Sequence, residues 1–186
     1  MDQRIERVLI DRRTIAERVE QMARQIADDF RARTDASGEA PTLVLVSIMT
    51  GSVIFLADLI RHLPMMIRIK LIAASSYPGK STASQGVTIA NGLPDDLGGQ
   101  HVLIVDDILD SGRTLSAVRQ LITERHPASI GICVLLRKQV PSAMAVKAEY
   151  VGFDIPDEFV VGYGLDYDDY YRNLPDVVTL KSEAMK

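Results

Sequence analysis

Residues Val102-Leu103-Ile104-Val105 run directly into Asp106 and Asp107, and this junction limits what the chain can fold into more than any other stretch. Four consecutive apolar residues, three of them β-branched, predict a strand buried on both faces, as at the centre of a parallel sheet. Two like charges are costly to bury, so acids carried by such a strand belong where it leaves the sheet and meets solvent, a cation or a polyhydroxylated ligand. Open α/β sheets bind ligands along that carboxyl edge. Beyond a short apolar step, Asp110-Ser111-Gly112-Arg113-Thr114 predict a turn, and Leu115, Val118, Leu121 and Ile122 recur at helical spacing. A strand, a turn of small residues and a helix make a phosphate cradle. Gly112 admits close backbone approach, the first helical amides point at an anion, and the Ser111 and Thr114 hydroxyls add donors. Taken singly, Asp110 or Ser111 is an ordinary helix cap. Taken together with the acid pair, they mark a ligand-binding edge.

The rest of the chain supplies the sheet that such a strand needs. Val8-Leu9-Ile10 reads as a short edge strand, and a helix runs from Asp11-Arg12-Arg13-Thr14 to about Phe30 with Ile15, Val19, Met22, Ile26 and Phe30 on one face. Thr42–Ile48 is a strong strand, Met49-Thr50-Gly51-Ser52 a turn, and a helix follows from Ser52, so this turn is either a second anion site or a plain connection. Strands are also expected at Met66–Ala74, Val87–Ala90 and Ser129–Leu136, with a polar loop over 75–86 and a hairpin turn at Asn91-Gly92. The alternation of strands and helices predicts a single α/β domain over 1–186 with a mainly parallel central sheet flanked by helices.

Composition narrows the function classes. A formal net charge of -4 speaks against nucleic-acid binding as the main task. There is no apolar run long enough to span a bilayer, and Met1–Arg7 lacks signal-peptide character, so a cytoplasmic location without membrane contact is expected. Cys133 is the only cysteine, which excludes an intrachain disulfide and a cysteine metal cage; within Ser129–Leu136 it reads as a core residue.

The 102–115 stretch resembles the ribose-phosphate signature of the type I phosphoribosyltransferases, enzymes that use phosphoribosyl pyrophosphate (PRPP). A second pattern, Phe159-Val160-Val161-Gly162-Tyr163 with Leu165-Asp166-Tyr167 and then Arg172, is similar to that of the hypoxanthine-guanine branch of this family. Without it, the acids and tyrosines of this region suggest a calcium loop or a tyrosine-rich surface, although EF-hand spacing is missing. The resemblance extends from about the first strand to Pro175. It implies transfer of the 5-phosphoribosyl group from PRPP to N9 of hypoxanthine and guanine, dependent on Mg2+, in purine salvage.

Site roles follow residue by residue from the resemblance. Asp106 and Asp107 would bind the ribose hydroxyls, Asp110, Ser111, Gly112, Arg113 and Thr114 the 5′-phosphate, and Asp110 would act as general base toward purine N7. Thr50, Gly51 and Arg172 would contact pyrophosphate, with Thr50 standing where the family has lysine. Ser76 and Tyr77 would belong to a flap over about 75–86, whose closure would keep water from a cationic sugar. Lys138 would meet the purine O6, Phe159 would stack on the base, the Val160 backbone would read its edge, and Asp166 would contribute to base and metal binding alongside Asp106 and Asp107. A small hood would come largely from 150–180. Family members assemble as homodimers or homotetramers, with the first βα turn near the subunit contact. Independently of the resemblance, an aromatic ring suits a flat base, whereas a lysine at a strand's exit reads as a solvated tip. Arg137 has no assigned partner. Competing readings are a xanthine- or guanine-preferring transferase, a PRPP-motif RNA-binding regulator of pyrimidine synthesis, and a silent homologue; the acidic balance, Asp110 and the C-terminal pattern stand against the last two.

Overall fold

The computed structural model describes residues 3–31, 33, 41–76, 87–89 and 93–185. Its first strand, β1 (Ile5–Ile10), leads into α1 (Arg12–Arg31), and there the sequence dictates the start. The Asp11 carboxylate accepts hydrogen bonds from the Arg13 and Thr14 amides at 2.9 and 3.0 Å, the arrangement of an N-cap, and these bonds hold its pKa below the usual carboxylate range. Next come β2 (Leu43–Met49), α2 (Val53–Arg61), β3 (Ile67–Ser76), β4 (Val87–Ile89), β5 (His101–Leu109), α3 (Arg113–Thr123) and β6 (Ser129–Lys138). A one-turn α4 (Pro141–Met144) precedes β7 (Tyr150–Ile155), β8 (Val160–Val161) and β9 (Val177–Leu180).

Six strands form the main sheet in the order β4-β3-β2-β5-β6-β7, and all neighbours are parallel except β4, which runs antiparallel to β3. β5 is central, in register with β2 at Leu45↔Leu103 and with β6 at Leu103↔Gly131. Its alternate residues enter two different cores. Leu103 and Val105 pack with Phe55 and Leu59 of α2 and with the apolar face of α1; Val102 and Ile104 pack with Leu115, Val118 and Ile122 of α3. Helices on both faces explain why the strand reads as an uninterrupted apolar run.

The second sheet is small and antiparallel, in the order β1-β9-β8. Val160 and Val177 turn toward the main core, while Val161, Val178 and Leu180 form a separate cluster against Ile5, Tyr167, Tyr171 and Leu174. The hood is therefore built from both ends of the sequence, not only from 150–180, and Tyr150–Ile155 belongs to the main sheet instead. Two strands went unread. β7 carries Gly152, at which a Cβ would lie 2.4 Å from the Leu135 carbonyl oxygen, so the glycine that masks the strand pattern is needed for its packing. β9 is four residues held by pairing on both sides, too short to stand out. The expected hairpin turn Asn91-Gly92 lies outside the described residues, and the antiparallel partner of β4 is the preceding strand β3, not the following one. Among the described residues no helix is long and apolar enough to cross a membrane.

Because Leu103 is fully buried where the central strand meets the α1/α2 layer, Leu103→Ala is expected to lower the unfolding free energy by about 2–5 kcal/mol. Urea titration followed by circular dichroism checks this as a lower midpoint at unchanged slope.

Candidate active site

β5 runs farther than its apolar run suggests, through Asp106, Asp107 and Ile108 to Leu109. The two acids thus stand inside the last turns of the strand, not beyond it. Asp106 is only 7% exposed. Its carboxylate accepts from the Asp107 amide at 3.1 Å, and the Asp107 carboxylate accepts from the Ile108 amide at 2.8 Å. Among the described residues no lysine or arginine forms an ion pair with either acid. Burial, and for Asp106 the neighbouring Asp107 charge, push both pKa values above the usual carboxylate range, Asp106 strongly so; the more distant Arg172 offsets part of the effect at Asp107.

These acids line a cavity of about 300 Å³ together with Gly51, Asp110, Ser111, Gly112 and Thr114. Gly112 has φ +76° and stands at the head of α3, and a Cβ there would meet the Val146 side chain at 2.4 Å. The first bond of the helix runs from the Ser116 amide to the Gly112 carbonyl, so the turn's earlier amides have no helical acceptor. The cap residue Gly112 has no side chain to offer, and the Ser111 hydroxyl accepts from the Arg113 amide at 3.5 Å, so Asp110 is not the cap of α3. Arg113 is the first helical residue and lies outside the cavity lining.

The β2–α2 turn closes the other side. It contains a cis peptide between Met49 and Thr50, and Thr50 is exposed. Ser52 is consumed structurally: its hydroxyl donates to the Ile48 carbonyl and is 2.8 Å from the Ser47 hydroxyl. Gly51 is the contact that matters, since a Cβ there would lie 1.8 Å from a carboxylate oxygen of Asp107. On its far side the Gly51 carbonyl is met by Gly164, whose own Cβ would come within 2.1 Å of it at φ +105°.

The remaining predicted residues separate into groups. Lys138 ends β6, with its ammonium 3.4 Å from Asp110 and 3.1 Å from Asp157. Phe159 precedes β8, is half-exposed and meets Tyr167 edge-on at 5.6 Å; Val160 is buried within β8. Arg172 bonds the Gly164 carbonyl and the Asp166 and Asp169 carboxylates at 2.9, 2.9 and 3.1 Å. Ser76 is the last residue of β3, whereas Tyr77 and the rest of the expected flap lie outside the described residues. Arg137 gains a partner, Asp154, in a two-pronged contact at 2.6 and 3.0 Å. Cys133 is buried and its thiol pKa is pushed up by that burial, in keeping with a core role. Sequence reasoning missed Asp157 and Gly164; one of the two acids after Pro156 and one glycine among several carry no signal of what they touch.

A carboxyl whose folded-state pKa is raised stabilises the fold below the unfolded value of about 3.9 and loses that contribution as pH rises through the folded value. At neutral pH the acid pair therefore works against the fold. Asp106→Asn is expected to raise the melting temperature near neutral pH by roughly 2–4 °C, the response of a chain this size to about 1 kcal/mol. Scanning calorimetry should see the gain shrink toward zero as pH falls to about 4.

The phosphoribosyl transferase domain family matches residues 9–168. The hypoxanthine-guanine phosphoribosyltransferase of Mycobacterium avium is 44% identical over 177 residues, covering 95% of this chain and 86% of the relative. The hypoxanthine phosphoribosyltransferase of Escherichia coli is 41% identical over 168 residues, covering 90% and 91%. Among solved structures, a mutant hypoxanthine phosphoribosyltransferase from Trypanosoma cruzi complexed with the product IMP superposes with a TM-score of 0.87 at 37% identity, covering 98% of this chain and 94% of that one. A hypoxanthine-guanine phosphoribosyltransferase from Bacillus anthracis gives 0.84 at 36%, covering 95% and 99%. With an acid pair above a glycine turn and these similarities in sequence and fold, the chain belongs to the phosphoribosyltransferase family, in its hypoxanthine-guanine branch.

Proposed function

We propose that the chain transfers the 5-phosphoribosyl group of PRPP to N9 of hypoxanthine or guanine, releasing pyrophosphate. The observation that carries this reading is one cavity lined both by the buried pair Asp106 and Asp107 and by the turn Asp110–Thr114. A ribose 5-phosphate needs that combination. Its 2′ and 3′ hydroxyls donate to carboxylates, and its phosphate accepts from helix-opening amides and the hydroxyls of Ser111 and Thr114. The purine would lie toward Phe159, with its O6 at Lys138 and its edge at the Val160 backbone. Pyrophosphate would lie toward Thr50, Gly51 and Arg172.

Asp110 is the general base in this reading. It lines the cavity where the base must approach the sugar, and its carboxylate would take the N7 proton as the bond to N9 forms. Thr50 supplies a hydroxyl where the family has a cation, so Arg172 is the nearest basic group proposed for the leaving group. The buried pair, two hard oxygen donors with no cationic ion-pair partner among the described residues, fits a magnesium ion, which Asp106 and Asp107 would hold. Bound there, magnesium would offset the charge of the departing pyrophosphate. Asp166 fits less directly, since one oxygen is held by Arg172 and the other accepts from the Asp169 amide at 2.9 Å; its contribution would run through water or follow release of Arg172.

Assembly into dimers or tetramers is part of the same proposal. Ile54 of α2 and Ile69 and Leu71 of β3, the strand paired with β2, are exposed at 38, 41 and 53%, apolar side chains suited to contact with a second copy. Sedimentation velocity at micromolar concentration should give a dimer or larger; a monomer would overturn this part alone.

With PRPP, magnesium and a panel of hypoxanthine, guanine, xanthine, adenine and uracil, turnover is expected with the first two. Asp110→Asn should reduce kcat by about 10²–10⁴-fold. Absence of nucleotide from any base, in folded protein that binds PRPP, would refute the reading.

A further inference from the structure

Two successive cations end β6, and the structure treats them differently. Arg137 is fully engaged by Asp154, its register partner on β7. Lys138 pairs in register with Ile155, and the chain just beyond turns back through Pro156, with the Glu158 amide donating to the Pro156 carbonyl at 2.8 Å. That turn delivers Asp157 to the Lys138 ammonium at 3.1 Å, while Asp110 of the phosphate turn approaches the same ammonium at 3.4 Å from β5. The lysine side chain is 13% exposed, but both carboxylates are more than half exposed.

We infer that Asp157 is a positioning residue for the base-binding lysine, sharing Lys138 with Asp110 so that its ammonium is held where it can meet the purine carbonyl. This assignment rests on the phosphoribosyltransferase reading above. Both contacts are ion pairs, and two carboxylates carried by different elements hold the ammonium between them while its N–H groups stay available to a purine carbonyl. Without Asp157, Asp110 is the one remaining carboxylate paired with it among the described residues, and a nearly buried ammonium will close on it. That motion carries the donor away from the purine and tightens the pairing of the general base with the cation, so two steps of the reaction suffer from one lost contact. The β6–β7 register makes the device rigid, because both Lys138 and the turn that holds Asp157 grow from paired strands.

The test is a double-mutant cycle on the full chain, with KM for hypoxanthine, KM for PRPP and kcat measured for wild type, Asp157→Asn, Asp157→Glu, Lys138→Met and the Asp157→Asn/Lys138→Met pair. Asp157→Asn should raise KM for hypoxanthine by about 3- to 10-fold, the range expected for a partly exposed charged contact, and lower kcat while leaving KM for PRPP within about twofold. Asp157→Glu should recover most of the loss. In the Lys138→Met background Asp157→Asn should add less than about twofold, since its effect runs through the lysine. An equal rise in both KM values, or an undiminished effect without the lysine, would overturn the assignment. An active wild type with an indifferent Asp157→Asn would overturn it alone, whereas a wild type inactive on every base would refute the enzymatic reading and this assignment with it.

Discussion

The burial of Asp106 on a strand covered by helices on both sides sets the terms for everything around it. A carboxylate in that position loses most of its hydration, and the structure supplies one backbone amide and a second acid in return. Such a pair persists because the surrounding sheet is strong enough to hold it: β2, β5 and β6 are in continuous parallel register beneath it, and two separate apolar cores press on β5. The unfavourable group and the stable scaffold are parts of one arrangement. Strain of this kind gathers at sites that must interact with something absent from the bare chain.

The acids also dictate where glycine must stand. Gly51 leaves space for the Asp107 carboxylate, and Gly164 in turn leaves space for the Gly51 carbonyl. Hood and first βα turn are thereby in direct backbone contact, and that turn meets the central strand through the Asp107 carboxylate. Arg172 reinforces the contact by bonding the Gly164 carbonyl. The cavity and the hood are consequently in contact, although they belong to different sheets.

Much of this was legible from residue types. The apolar run before Asp106, the turn with Gly112 and the amphipathic α1 carry local signals, and the structure agrees with each to within a few residues. The length of β5 was underestimated because Asp106 and Asp107 break the apolar pattern, although ladder pairing to β6 continues through them to Leu109. Only Val8–Ile10 of β1 carries an apolar signal, since Glu6 and Arg7 before it are adjacent, charged and exposed on the edge of the sheet. β7 and β9 depend on partners far away in sequence, and so does the meeting of Lys138 with Asp157. Nothing local distinguishes an acid that pairs with a distant lysine from one that decorates a loop.

The joining of β1 to β9 has a further consequence for how the molecule comes into being. Ile5 pairs with Leu180, so the two strands at one edge of the hood are separated in sequence by the whole main sheet. The main sheet can assemble as its strands leave the ribosome, but β1 has no partner until β9 has followed β7 and β8. The small sheet is thus completed only after the large one.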